Sequence, residues 1–181
     1  MRTLTLIRHG RPVIEPELPA SSWELAADAV AEVRALPVSA GTWFCSPEPK
    51  ALATARSLTG ADVTTMPDLR EAERPAGWFD DPGEFHGVVR EAFAQPDRAP
   101  VPGWEPLAAV RRRVAAAART LLVWTPGDLV LVGHGTAWTL LVAELTNASP
   151  NLDAWVRMRM PDACELEVTG ESASVCRPWG G

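Results

Sequence analysis

Apolar positions along this chain keep two different rhythms. Leu4, Leu6 and Ile7, with threonines among them, form a short run near the start; residues 42–45 form another, and residues 129–132 a third with no polar break. Runs of this length, bounded by turn residues, predict strands buried in a sheet. Between them the spacing opens to that of a helix. Leu25, Ala26, Ala29, Val33 and Leu36 follow at helical spacing, and Ser21-Ser22-Trp23-Glu24 has the spacing of a capping box, which predicts a helix over 22–36. Ser46-Pro47 reads as an N-cap followed by proline at the first helical position, opening a second helix that carries Lys50, Leu52, Ala53, Thr54 and Ala55. Further helices are predicted over 105–124 and 136–145, an edge strand over 62–65, a loop around Pro150, and two closing strands over 164–169 and 173–177.

Strand, loop, helix, strand, helix over residues 3–58 is the rhythm of a parallel sheet. The expectation is an α/β fold: a single three-layer domain over 1–181 with a mostly parallel sheet flanked by helices. At 181 residues, 46% of them apolar and 22% charged, the chain is long enough for one well-buried core and short for two. Two segments resist the pattern. Arg11, Pro12, Pro16 and Pro19 make 11–20 a loop, since proline breaks both helix and central strand. Residues 72–103, rich in proline, glycine and acidic side chains and broken by a short helix at about 84–94, read as an irregular excursion over the sheet. That is the natural place for a lid or specificity element.

Composition narrows the function classes. No run approaches the ~18 apolar residues that span a bilayer, and Arg2 and Arg8 interrupt the opening segment too early for a signal peptide, so a cytoplasmic protein with no membrane partner is expected. A formal net charge of −6 and a pI near 5.1 disfavour nucleic acid as a partner. An anionic substrate would therefore need a locally positive pocket. Cys45, Cys164 and Cys176 are odd in number and widely spaced, which argues against a disulfide framework or a zinc site and predicts buried thiols. Lys50 is the only lysine.

The candidate chemistry lies where the strands end. Strand one stops at Arg8-His9-Gly10, the late strand at Gly133-His134-Gly135-Thr136, and the strand between them at Ser46-Pro47 with a cation at position 50. In a parallel sheet these ends share one edge, so Arg8, His9, Lys50 and His134 can converge where ligands of open α/β sheets sit.

This set resembles the histidine phosphatase superfamily, branch 1, the phosphoglycerate-mutase-like family. The matching pieces are Arg8-His9-Gly10, Ser46-Pro47 with Lys50 and Thr54-Ala55, Leu69-x-Glu71, and Val132-Gly133-His134-Gly135, in the family's order across most of the chain. The resemblance implies a phosphatase acting on a small phosphorylated substrate without metal or other cofactor. It casts His9 as the nucleophile that becomes phosphohistidine, with His134 beside it, and Glu71 as proton donor and then base. Glu73, Asp80, Asp81 and Glu84 stay open as rivals for that acid. Arg8, Lys50, Gly135 and Thr136 are implied as the phosphate cradle, by charge and by backbone N–H groups. The alternative is a weak or inactive member that binds a phosphorylated ligand; a mutase or a phosphohistidine-protein phosphatase fits less well.

Three features depart from the family pattern. Lysine stands at position 50 where arginine is usual, which keeps the charge and loses the bidentate fork. Arg11 and Pro12 replace the Glu or Gln and the Thr or Ser that often follow the first motif, and no asparagine occurs before Asn147, so that either one phosphate donor is missing or Arg11 substitutes for it. The Gly-Glu-Ser segment before the long helix is only echoed by Gly103-Trp104-Glu105. His86 is expected at the rim or surface, and Trp78, Phe79 and Trp104 are expected to pack a small core under the excursion, the alternative being an apolar wall for the substrate's organic part.

Overall fold

The computed structural model describes residues 1–75, 79–170 and 172–180. Six strands form one sheet in the order β3-β2-β4-β1-β5-β6: β1 (Arg2–Arg8), β2 (Thr42–Cys45), β3 (Thr64–Thr65), β4 (Leu129–Gly133), β5 (Asp162–Thr169) and β6 (Ser172–Arg177). The first four run parallel; β5 pairs antiparallel with β1, and β6 antiparallel with β5. Helices α1 (Val30–Arg34), α2 (Pro49–Thr59), α3 (Pro82–Ala94), α4 (Leu107–Trp124), α5 (Gly135–Leu145) and α6 (Leu152–Arg157) complete the α/β domain.

Strand pleating divides the core into two layers. Along β4, Leu129 and Leu131 join Leu4, Leu6, the α4 residues Val110, Val114 and Leu121, and Trp138 and Leu141 of α5. Val130 and Val132 point the other way, to Ile7, Cys45 and Ala55 of α2. A strand covered on both faces has no polar side, which is why β4 reads as an unbroken apolar run. Each of its fully buried leucines and valines contributes about 1.5–3 kcal/mol of burial.

Register brings the functional edge into line. Arg8 pairs with Gly133 and Cys45 with Val132, so β1, β2 and β4 end at one level. The ladder runs one residue further: the His9 N–H donates to the Gly133 carbonyl (2.9 Å) and the Ser46 N–H to the Val132 carbonyl (2.8 Å). His9, Ser46 and His134 therefore leave the sheet side by side.

Three local expectations need correction. The 22–36 helix begins late: residues 23–26 are largely extended, and Glu24 and Ala26 exchange backbone hydrogen bonds with Val13 and Arg11 (2.8 and 2.9 Å). That pairing fixes Pro12 opposite Leu25 and overrides the capping-box signal. Helix α2 starts two residues later than expected, with Glu48 at the N-cap and Pro49 rather than Pro47 in the first turn. Pro47 lies instead in a bend closed by the Ser46 hydroxyl, which accepts the Glu48 N–H (3.3 Å), and the extended Glu48 then opens the helix. The loop expected around Pro150 is present and leads into α6, a short helix the pattern did not predict, capped by Asn151, whose side chain accepts the Ala154 N–H. Of the thiols, Cys45 and Cys164 are buried as expected, and burial pushes them up to about 11 and about 12; Cys176 is exposed, because it lies on edge strand β6.

The excursion contains a helix longer than predicted, α3, opened by Asp81, whose carboxylate accepts the Gly83 N–H (2.8 Å). Beneath it Trp104, Val89 and Trp155 form a satellite core with Phe79 and Phe85, the packing role expected of Phe79 and Trp104. Trp78 lies outside the described residues.

Candidate active site

A cavity of about 890 Å³ opens over the shared strand edge. Arg8, His9, Glu48, Lys50, Glu71, Arg74, His134 and Gly135 line its polar part, and Val13, Ile14, Trp23, Ala26, Ala27 and Met160 its apolar rim.

His9 is placed by β1 and held by its own backbone. Its Nδ1 lies 2.7 Å from the Gly10 carbonyl oxygen, an acceptor only, so Nδ1 carries the proton and Nε2 keeps its lone pair. Burial, with His134 adding to it, holds the imidazole well below its ordinary range. Gly10 is needed at the next position: a Cβ there would lie 2.5 Å from Val33 Cγ2 and 2.7 Å from Leu25 Cδ1. Its N–H donates to Thr54 Oγ1 (3.0 Å), which ties the turn to α2.

His134 sits just ahead of α5, buried, with Nε2 2.8 Å from Ser46 Oγ and 3.4 Å from Glu48 Oε1. Burial is the first cause that lowers it, to about 3, so the ring is neutral and its approach to Glu48 is not an ion pair. Its Nδ1 has no hydrogen-bond partner among the described residues. Trp138 ties α5 to the end of β1 by donating its indole N–H to the Ile7 carbonyl (2.8 Å).

Glu71 lies at the N-terminus of α5. One carboxylate oxygen accepts the Thr136 N–H (3.0 Å), the other the N–H groups of Ala137 (3.0 Å) and Ala72 (2.9 Å). Burial alone would raise its pKa, but Arg74 and these backbone donors bring it down to about 2. Of its rivals, only Glu73 also lines the cavity, as an exposed residue; Asp80, Asp81 and Glu84 are exposed and stand outside it.

A model of the histidine phosphatase superfamily (branch 1) matches residues 4–177. The chain belongs to that superfamily. Among solved structures, this histidine phosphatase is similar to a mycobacterial glucosyl-3-phosphoglycerate phosphatase in complex with VO3 (20% identity, TM-score 0.75, 98% of each chain covered). It is also similar to YhfR of Bacillus stearothermophilus (21%, TM-score 0.73, 97% of this chain and 95% of that one) and to a phosphoglycerate mutase of Thermus thermophilus (24%, TM-score 0.66, 99% of each). Among curated protein sequences none matches at a significant level. The shared feature is the fold, and the superfamily makes the protein a phosphatase-class enzyme.

The cradle of this histidine phosphatase differs from the expected one at two places. Lys50 is on the cavity wall, but its ammonium lies 2.5 Å from both Glu48 Oε2 and the Ala20 carbonyl oxygen. Thr136 gives its N–H to Glu71, and its hydroxyl takes a hydrogen bond from Arg74 (3.0 Å). Gly135 does line the cavity, against the Arg8 guanidinium: a Cβ there would lie 3.4 Å from Arg8 Nε. Arg8 is anchored by donating to the Met158 carbonyl (2.6 Å). Arg11 reaches the rim but pairs in the open with Asp28 (2.8 Å). His86 packs edge-on against Trp155 and lines no cavity wall among those described.

Sequence reasoning missed Glu48 and Arg74. Glu48 is buried with a raised pKa, for which burial is the main cause, and its Oε1 also accepts the Glu71 N–H (2.8 Å). The signal was a carboxylate two residues before the only lysine; at a helix start it reads as an ordinary N-terminal acid. Arg74 lay in a segment with no periodicity. Among the described residues no group of three or more His, Cys, Asp or Glu side chains is placed to hold a metal ion.

Proposed function

We propose that this protein is a cytoplasmic, metal-independent phosphatase that hydrolyses a small phosphomonoester through a phosphohistidine on His9. The observation that carries the reading is the bond from His9 Nδ1 to the Gly10 carbonyl, which leaves a neutral, unprotonated Nε2 in a cavity that also holds Arg8, Arg74 and His134. An imidazole nitrogen that already bears no proton needs no activating base.

In the first displacement His9 Nε2 bonds to phosphorus as the ester oxygen leaves with a proton from the acid assigned here to Glu71. The products are the free alcohol and phosphohistidine. Water then attacks phosphorus, gives its proton to Glu71, and releases inorganic phosphate and neutral His9. In the empty site Glu71 is ionised, so its proton arrives with substrate: the phosphoester's negative charge beside it favours the protonated carboxyl. With Ser46 O–H donating to His134 Nε2, His134 Nδ1 carries a proton for the equatorial oxygens. The apolar rim of Val13, Ile14 and Trp23 suits the organic part.

A phosphorylated-ligand binder with little turnover is the second reading, favoured by the Glu48 carboxylate inside the cavity, which offsets Lys50. Hydrolysis of an aryl phosphate with excess chelator, wild type beside His9→Ala, separates the two. Turnover that survives chelation, disappears in the variant and leaves a radiolabelled phosphoryl group on His9 in acid-free quench supports the phosphatase; binding of phosphate with no turnover of any ester supports the binder.

A further inference from the structure

We infer that Arg74, and not Lys50, is the second fixed cation that grips the transferring phosphoryl group; the inference rests on the phosphatase reading and names a binding residue within that site. Lys50 already spends two of its three N–H donors inside the protein. Its ammonium meets a buried carboxylate oxygen of Glu48 and a backbone carbonyl, and lysine and glutamate together bring no net charge into the cavity. Arg74 is built otherwise. The guanidinium carbon lies 4.9 Å from the centre of the Trp104 ring and 5.2 Å from that of Phe85, cation–π contacts that hold the group at the cavity without neutralising it. One edge nitrogen donates to Thr136 Oγ1; Nε is buried with no hydrogen-bond partner among the described residues.

Arg8 matches it on the other side. Its Nε is likewise buried without a partner, and it lies against Gly135 as Arg74 lies against Thr136. Two guanidinium groups thus flank the first turn of α5, each with a buried donor unmet, and the third unmet buried polar atom of the cavity is His134 Nδ1. Arg2 and Arg177 also carry unmet buried nitrogens, away from the cavity; what sets Arg8, Arg74 and His134 apart is that all three residues line its polar end, where an anion would meet two guanidinium groups and an imidazole together. A guanidinium also gives equatorial oxygens the planar fork that an ammonium lacks.

The test compares Arg74→Gln, Arg74→Ala and a Glu48→Gln/Lys50→Met double variant, which removes the buried pair without orphaning either charge. Two quantities are read: kcat/KM on an aryl phosphate, and affinity for inorganic phosphate by calorimetry. We expect Arg74→Gln to lose roughly a hundredfold in both, from one or two charge-assisted hydrogen bonds, and the double variant to lose less than about tenfold. Millimolar methylguanidinium restores part of the Arg74→Ala rate, which a merely structural defect would not allow. Wild-type phosphate affinity in Arg74→Gln, or a larger loss in the double variant, overturns the assignment. If the wild type hydrolyses nothing yet Arg74→Gln still loses phosphate, the phosphatase reading fails and the Arg74 assignment stands.

Discussion

His9 and His134 meet edge to face on the cavity wall, ring centroids 5.2 Å apart and planes at 64°, each delivered by the carboxyl end of a different parallel strand. Neither is positioned to hold a charge. His9 is lowered by burial and by His134, and His134 is lowered by burial to about 3.

Acid stability should therefore be poor. An unfolded chain protonates both rings near pH 6.5, whereas the folded state refuses the proton until far lower pH. The stability they confer is complete above pH 6.5 and is lost as pH falls, for His134 until pH reaches about 3, and His9 acts in the same direction. Glu71, lowered to about 2, works in the same direction below its ordinary value of 4.5; Glu48, raised, works the opposite way. Denaturant midpoints should hold between pH 7.5 and about 6.5 and fall steadily from there to pH 4.5, and His134→Asn should flatten the slope. A wild-type profile already flat over that range would contradict neutral, buried histidines.

Glu71→Gln should discriminate between leaving groups. An activated nitrophenolate departs without a proton, while an alkoxide does not. The variant should lose about 10²–10⁴ in kcat on alkyl phosphates and markedly less on p-nitrophenyl phosphate. Equal losses on both would assign Glu71 to holding the turn at α5 rather than to proton transfer.

Glu48 and Lys50 should behave as a coupled pair. Lys50→Met alone leaves a buried carboxylate without its counter-charge and should destabilise the fold by about 3–5 kcal/mol, whereas adding Glu48→Gln should recover most of that loss. Urea unfolding of the two singles and the double measures the coupling, and simple additivity would remove the case for a pair.

Gly10→Ala is expected to harm catalysis through geometry. The methyl group would meet Val33 and Leu25 at under 3 Å, so the turn carrying the His9 Nδ1 acceptor must shift. Activity should fall at least about tenfold with modest change in melting temperature; a crystal structure of the variant with an undisturbed turn and full activity would count against this reading.

Much of this was legible because it depends on strand ends. Buried parallel strands must be apolar throughout, so the point where polarity resumes is marked in the sequence, and the two histidines stand at such points. Leu69-x-Glu71 was legible only through its resemblance to a family motif. The residues that were not legible act across long gaps. Glu48 matters because its two oxygens reach Lys50 and the Glu71 backbone, 23 residues on; Arg74 because Trp104 and Phe85 fold over it. The 22–36 helix was misjudged for the same reason: the partner that draws residues 24–26 into extended pairing is the loop at 11–13.

The three unmet polar atoms around the cavity also bear on how the protein lasts. An oxyanion that satisfies them binds the folded chain and not the unfolded one, so inorganic phosphate, the product of the proposed reaction, should raise the melting temperature, by the equivalent of about 2.7 kcal/mol at a hundred times its Kd. A scan showing no such rise would argue against the cradle. Product would then slow turnover and protect the enzyme from unfolding through the same contacts, and the longest-lived molecules would be those between catalytic cycles with phosphate still in place.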